Sequence, residues 1–122
     1  AWALDMADYG LFHDAFTEDA RTDLPPMGKL AGRRTLIATL KAFRMPWPWI
    51  QHYGVALNID ISPVGDAATL LIGRIIPEQD KTPEGETLYG AHYKIDLRKD
   101  DNKWRMSRMD YFPGWFTVKN KA

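Results

Sequence analysis

The chain contains no cysteine. That excludes a disulfide framework, a thiolate zinc site and a cysteine nucleophile. It also lacks a charge excess, since sixteen Lys and Arg balance sixteen Asp and Glu. Such a balance argues against a general nucleic-acid or anionic-membrane binder. No apolar run approaches the roughly 20 residues that a membrane helix needs. No signal-peptide pattern occurs within these residues, and a cytoplasmic location is the expectation. Histidine is scarce, with three copies. His13, His52 and His92 form neither an HxH nor an HExxH pattern, so zinc would need ligands converging from distant strands. Gly28 and Gly32 lack the Lys-Ser ending of a phosphate loop, and there is no GxSxG elbow. The expectation is no metal and no cofactor.

What is present points to one domain. The 122 residues suffice for a single core, and the 45% hydrophobic content is ordinary for a globular chain. Trp, Tyr and Phe occur five times each, and their large rings line a core or a pocket. Ala1–Asp5 reads as the last turns of a helix entered mid-way, so upstream residues of that helix are expected to be absent. Asp8 is a candidate N-cap for a second short helix in which Phe12, Ala15 and Phe16 share a face. Ala20–Leu24 reads as a short strand stopped by Pro25-Pro26, and Gly28–Gly32 as a turn. Arg33–Arg44 is the best helix, with Leu36, Ile37, Leu40 and Phe43 on one face. Pro46 disfavours a helical Met45 and ends it.

The pattern then changes period. Ile50–Ile61, Ala67–Ile76, Thr87–Arg98 and Lys103–Phe112 read as a meander of strands. Turns at Ser62–Asp66 and Lys99–Asn102 and a polar loop at Pro77–Glu86 separate them, and Pro113-Gly114 closes the last. Three helices followed by one short and four long strands predict an α+β fold. A curved antiparallel sheet wrapped around the N-terminal helices would form a cone with a cavity inside.

The strand "IQHYGVALNID" raises the functional question. By the period-2 rule, Gln51, Tyr53, Val55, Leu57 and Ile59 form one face. His52, Gly54, Ala56, Asn58 and Asp60 form the other. Small residues beside a titratable ring leave space, and space on the concave side of a sheet suits a ligand. His52 is then either a cavity base or a core histidine hydrogen-bonded to backbone. Asp5 is either a helix-end carboxylate or a cavity carboxylate that orients a histidine. Arg108 falls on an apolar face with Trp104 and Met106. It either pairs with a carboxylate or binds a ligand oxygen. Tyr89 and Tyr93 belong to an inner face with Ala91, Ile95 and Leu97, and their hydroxyls need partners if buried. Trp47 and Trp49, set between prolines, either pack a loop or cover a cavity mouth. Tyr93, Tyr89, Trp49, Gly54 and Met106 are therefore the candidate ligand contacts. His92 and His13 are expected outside the site.

Several stretches resemble SnoaL-like proteins of the nuclear transport factor 2-like superfamily. The opening "AWALDMADYGLFHDAFTEDARTDLPPMGKLAGRRTL", the strand "QHYGVALNI" and the hairpin "LRKDDNKWRMSR" match in order and spacing across nearly the whole chain. The resemblance implies the cone-shaped α+β fold over residues 1–122. Within the superfamily, the placement of Asp5 and His52 is similar to that in scytalone dehydratase, lindane dehydrochlorinase and bile-acid 7-alpha-dehydratase. It implies His52 as base, Asp5 as its partner and Arg108 as an arginine found in some members. A tyrosine that some dehydratases place before the Asp is Leu4 here, and their second histidine falls near Glu78. The expectation is a small cofactor-independent lyase, with dehydratase-like elimination, or an isomerase acting on an apolar cyclic molecule. The alternative is a non-catalytic ligand-binding or assembly domain. Self-association is also expected, because the face Tyr53, Val55, Leu57, Ile59 is too apolar to stay wet. Related dehydratases suggest a homotrimer, and other superfamily members pair as dimers.

Overall fold

The computed structural model describes residues 6, 8–25, 27–47, 49–79 and 85–121. The expected helix end at Ala1–Asp5 lies outside them. Asp8 caps the first described helix, α1 (Tyr9–Asp14), by accepting the Leu11 amide at 3.1 Å. The helix is shorter than its apolar spacing predicts. Phe16 leaves it and opens strand β1 (Phe16–Leu24), where it is fully buried. The predicted turn at Gly28–Gly32 is instead strand β2 (Gly28–Ala31), which pairs antiparallel with β1. Gly32, at φ 90°, then admits α2 (Arg33–Arg44), which buries Leu36 and Leu40 on its apolar stripe. Met45 keeps helical dihedrals despite the following proline, and its amide still reaches the Lys41 carbonyl.

The four later strands are β3 (Tyr53–Ile61), β4 (Ala67–Gln79), β5 (Gly85–Asp100) and β6 (Lys103–Lys121). Ser62 organises the first hairpin, its hydroxyl accepting the Asp66 and Ala67 amides. Asp101 and Asn102, both at positive φ, make the two-residue turn between β5 and β6. All four strands pair antiparallel in sequence. β6 also pairs parallel with β1, giving one six-stranded sheet in the order β2-β1-β6-β5-β4-β3. The result is the expected α+β cone, with a curved, unclosed sheet that is mixed in direction. α2 packs against β1, and the core gathers Phe16, Leu24, Leu36, Leu40, Ile50, Ile76, Tyr93, Ile95 and Met109 on the concave side.

Two expected boundaries move. The loop placed at Pro77–Glu86 is strand at both ends, because β4 runs to Gln79 and β5 starts at Gly85; residues 80–84 lie outside the described residues. Pro113-Gly114 does not end β6. Ala91 pairs with Pro113 and Gly90 with Phe116, so these residues form a bulge and the strand continues. β1 pairs with β6 only as far as Asp110, so Pro113 has β5 as its one paired strand, the kind of edge and bulge position where proline is tolerated.

Bulges also decide which way side chains face. Ala56 pairs with Ile72 but Asn58 with Leu71, so Leu57 is an extra residue in β3. Beyond it the two faces exchange. Ile59, expected beside Tyr53 and Val55, lies opposite Leu70 and so shares the concave face, whereas Asn58 and Asp60 turn to the convex one. Ser107 does the same in β6: Leu97 pairs with Met106 and Asp96 with Arg108. Met106 therefore faces inward and Arg108 outward, although the period-2 rule had put both on one face. Among the described residues, no helix is long and apolar enough to cross a membrane.

Candidate functional site

The sheet and α2 enclose a cavity of about 490 Å³. Its body is apolar. Phe16 and Met109 line it from β1 and β6, and Leu40, Phe43 and Trp47 close it from α2 and the loop that follows. The polar groups come mostly from the strands. His52, Arg74, Glu78, Tyr89, Tyr93 and Tyr111 all line the same space.

Strand register explains how these groups meet. Ile50 bridges to Glu78 and Gly54 pairs with Arg74. His52 thus stands opposite Ile76, midway between Arg74 and Glu78 on the adjacent strand. Arg74, Ile76 and Glu78 alternate along one face of β4. Across β5 and β6, Tyr93 pairs directly with Tyr111, and the two ring centroids are 5.0 Å apart. The guanidinium carbon of Arg74 lies 4.4 Å from the Tyr93 ring centroid. The wall therefore carries a cation and two phenol rings in succession across three strands.

The expected site residues divide. His52, Tyr89, Tyr93 and Met106 line the cavity. Gly54 faces the same side but does not reach it, because Arg74 fills its space: a Cβ on Gly54 would stand 3.4 Å from the Arg74 Cγ and Nε. Trp49 is exposed, and Trp47 lines the cavity in its place. Arg108 is half-exposed on the convex face, where its Nε donates to Asp110 at 2.9 Å. Asp5 lies outside the described residues. His13 is exposed near Asp14, and His92 pairs with Gly73 and Phe112 on the convex side. Among the described residues, no three His, Asp or Glu side chains group as a metal site.

Comparison with known proteins places this architecture. Residues 1–110 match the family model of the SnoaL-like domain. The chain belongs to that family. No curated protein matches it, but solved structures do. A hexachlorocyclohexane dehydrochlorinase from Novosphingobium barchaimii superposes with a TM-score of 0.80 at 17% identity, covering 98% of this chain and 80% of its own. A scytalone dehydratase-like protein from Novosphingobium aromaticivorans gives 0.81 at 19%, covering 96% and 77%. A ketosteroid isomerase-like protein from Erwinia carotovora gives 0.77 at 16%, covering 91% and 85%. At such identities the likeness establishes the fold.

Three polar cavity residues of this SnoaL-like domain were not among the expected contacts. Arg74 interrupts "LLIGRIIP", and a lone cation amid apolar strand residues was the available signal. Glu78 was placed in a loop, yet it is buried at 3% exposure in β4. Tyr111 was hidden by the Ser107 bulge, which brings it onto the inner face. Burial pushes the Tyr111 phenol above its ordinary range, and neighbouring Tyr89 and Glu78 push the same way. A phenol is protonated in the neutral range in any case, and the upward shift widens that margin.

Proposed function

We propose that this SnoaL-like domain is a small cofactor-independent lyase or isomerase. Its substrate is an apolar cyclic molecule held in the cavity, and His52 is the general base. The observation that carries this reading is an imidazole on the wall of a largely apolar cavity of about 490 Å³ that Tyr89, Tyr93 and Tyr111 also line. Apolar walls bind the body of a small molecule, and a few convergent polar groups orient it. A neutral imidazole takes a proton from the substrate, and Tyr111, a protonated phenol on the same cavity wall, donates a hydrogen bond to the oxygen where charge develops. Asp5 enters through the family resemblance as the carboxylate that holds the imidazole tautomer and balances its protonated form. In an elimination the leaving group then departs; in an isomerisation the proton returns elsewhere. Arg108 has no part in this scheme.

The test starts from a thermal-shift screen of apolar cyclic compounds, followed by turnover of those that bind. His52→Ala lowers the rate by about 10²–10⁴-fold, the scale of a positioned proton transfer. Asp5→Asn likewise abolishes turnover with the fold retained. Near-wild-type turnover by a normally melting His52→Ala protein removes His52 as the base. Ligands that bind but are never turned over by the wild type leave a binding module.

We also propose a homo-oligomer. Tyr53, Val55 and Leu57 on edge strand β3 are exposed on the convex face, and Leu71, Ile75 and Phe112 extend the apolar surface. A second copy is the natural cover for such a face. A light-scattering mass near the 14.0 kDa of one chain overturns this.

A further inference from the structure

We infer that the cavity takes ligands bearing a carboxylate, and that Arg74 anchors that group by its guanidinium N–H donors. This deepens the reading of the cavity as a small-molecule site and rests on it. The argument begins with the slot in which Arg74 lies. Its two cross-strand neighbours are Gly54 on β3 and Ala91 on β5. Both sides of the slot are thus made by the smallest residues, so the long side chain can lie along the wall. The fit is close at Gly54, where a Cβ would come 3.1 Å from the Ile72 Cγ2 as well as 3.4 Å from Arg74.

The second step is what Arg74 lacks. A guanidinium turned toward an apolar interior is ordinarily paired with a carboxylate. Among the described residues none pairs with it, and its contact is the Tyr93 ring face at 4.4 Å. A cation–π contact steadies the charge but satisfies none of the five N–H donors. Those donors form a rigid fork that matches a carboxylate in two parallel hydrogen bonds, which a lysine cannot copy. Arg98, Arg105 and Arg108, by contrast, spend their donors on Asp19, Asp100 and Asp110.

Charge placement gives the ligand a direction. Glu78 is four residues from Arg74 on the same face of β4, roughly 13 Å away at strand rise. An anionic group is drawn to the Arg74 end and repelled from the Glu78 end. His52 stands between them, facing the part of the ligand next to the carboxylate. The apolar remainder lies against Phe16, Leu40 and Met109.

Isothermal titration with 2-naphthoate and its neutral counterpart 2-naphthamide tests this. The wild type binds the naphthoate more tightly by about 10- to 100-fold, the usual worth of a charge-assisted hydrogen-bond pair. Arg74→Met abolishes the preference and Arg108→Ala leaves it intact. Should Arg74→Met lose its cooperative melting transition, Arg74→Gln carries the same expectation with polarity retained. Equal affinities in the wild type, no naphthoate binding at millimolar concentration, or a preference that survives loss of the Arg74 charge each overturn the assignment. Because the readout is equilibrium binding, a catalytically silent His52 leaves this result unaffected.

Discussion

Arg74 and Arg108 belong to the same sheet and face opposite ways. Arg74 lies over a tyrosine ring on the wall of the cavity, with no carboxylate bonded to it among the described residues. Arg108 lies on the convex side, bonded to Asp110, with Asp96 and Asp23 also near enough to hold its charge more firmly. Arg74 sits in the apolar run "LIGRII" and Arg108 in the more mixed "RMSRMDY". What separates them is register. β4 alternates without interruption through Arg74, whereas the extra Ser107 turns Arg108 outward. Among the described residues, Arg108 has its own carboxylate and Arg74 has none, and that difference is what the proposed ligand carboxylate would make up.

The broadest way to sharpen this contrast is to weaken each face in turn. Phe16 is fully buried on the concave side, and Phe16→Ala costs about 3–5 kcal/mol in denaturant unfolding. That loss is the same at every protein concentration. Val55, 67% exposed, contributes little within one chain. Val55→Asp therefore leaves the monomer's stability within about 0.5 kcal/mol. It lowers the light-scattering mass if a second copy covers the convex face. A concentration-independent loss of several kcal/mol at Val55 would mean that β3 is packed in a way the exposed strand does not show.

A narrower contrast lies in two glycines, Gly54 on β3 and Gly73 on β4. They face opposite sides. A Cβ on Gly54 meets Ile72 at 3.1 Å, tighter than ordinary contact, and presses on Arg74. A Cβ on Gly73 meets the Leu57 side chain at 3.4 Å, where the neighbour is a flexible tip. Gly54→Ala thus costs about 1 kcal/mol by overpacking and weakens naphthoate binding. Gly73→Ala stays within about 0.5 kcal/mol, since reduced freedom in the unfolded chain offsets the crowding. Thermal melts of both variants, with naphthoate titrations, check the pair. A neutral Gly54→Ala with unchanged binding would detach the glycine from Arg74.

These residues also show how far the sequence could be read. Helix α2 was legible because four apolar side chains repeat at helical spacing, and the Asp8 cap followed from side-chain chemistry. The meander was legible because period-2 runs alternate with turn residues. His52, Tyr89, Tyr93 and Met106 were recognised as facing one cavity. Arg108 and Ile59 were misplaced for a single reason: one inserted residue in a strand exchanges its faces, and neither Leu57 nor Ser107 signals a bulge by its type. Phe16 was misread because its spacing from Phe12 and Ala15 satisfies a helix, while pairing with β6 makes it a strand. Glu78 was missed because Pro77 and nearby polar residues resemble a loop. In the folded chain their positions are set by β5, a partner the local sequence does not reveal.

The smallest effect concerns a third arginine. Arg98 forks onto Asp19 at 2.6 and 3.3 Å, a geometry as good as any that a ligand carboxylate could offer Arg74. Both side chains are largely in water, at 45% and 67% exposure. The hydrogen bond from Arg98, then that from Thr17, holds the Asp19 carboxyl below its ordinary value of 3.8. A carboxyl depressed in the folded state stabilises the fold above the unfolded value. That contribution is present at neutral pH, declines below about pH 4 and is gone once the folded group is protonated. Solvent screening holds it under about 1 kcal/mol. Asp19→Asn should therefore lower the melting temperature slightly at pH 7 in low salt, and the difference from wild type should shrink steadily as the pH falls below about 4 or at molar salt. A gap that does not change with pH or salt would show that the residue acts through packing and not through its charge. The same fork closed on Arg74 by a ligand, away from bulk water, should resist salt that erases the surface pair.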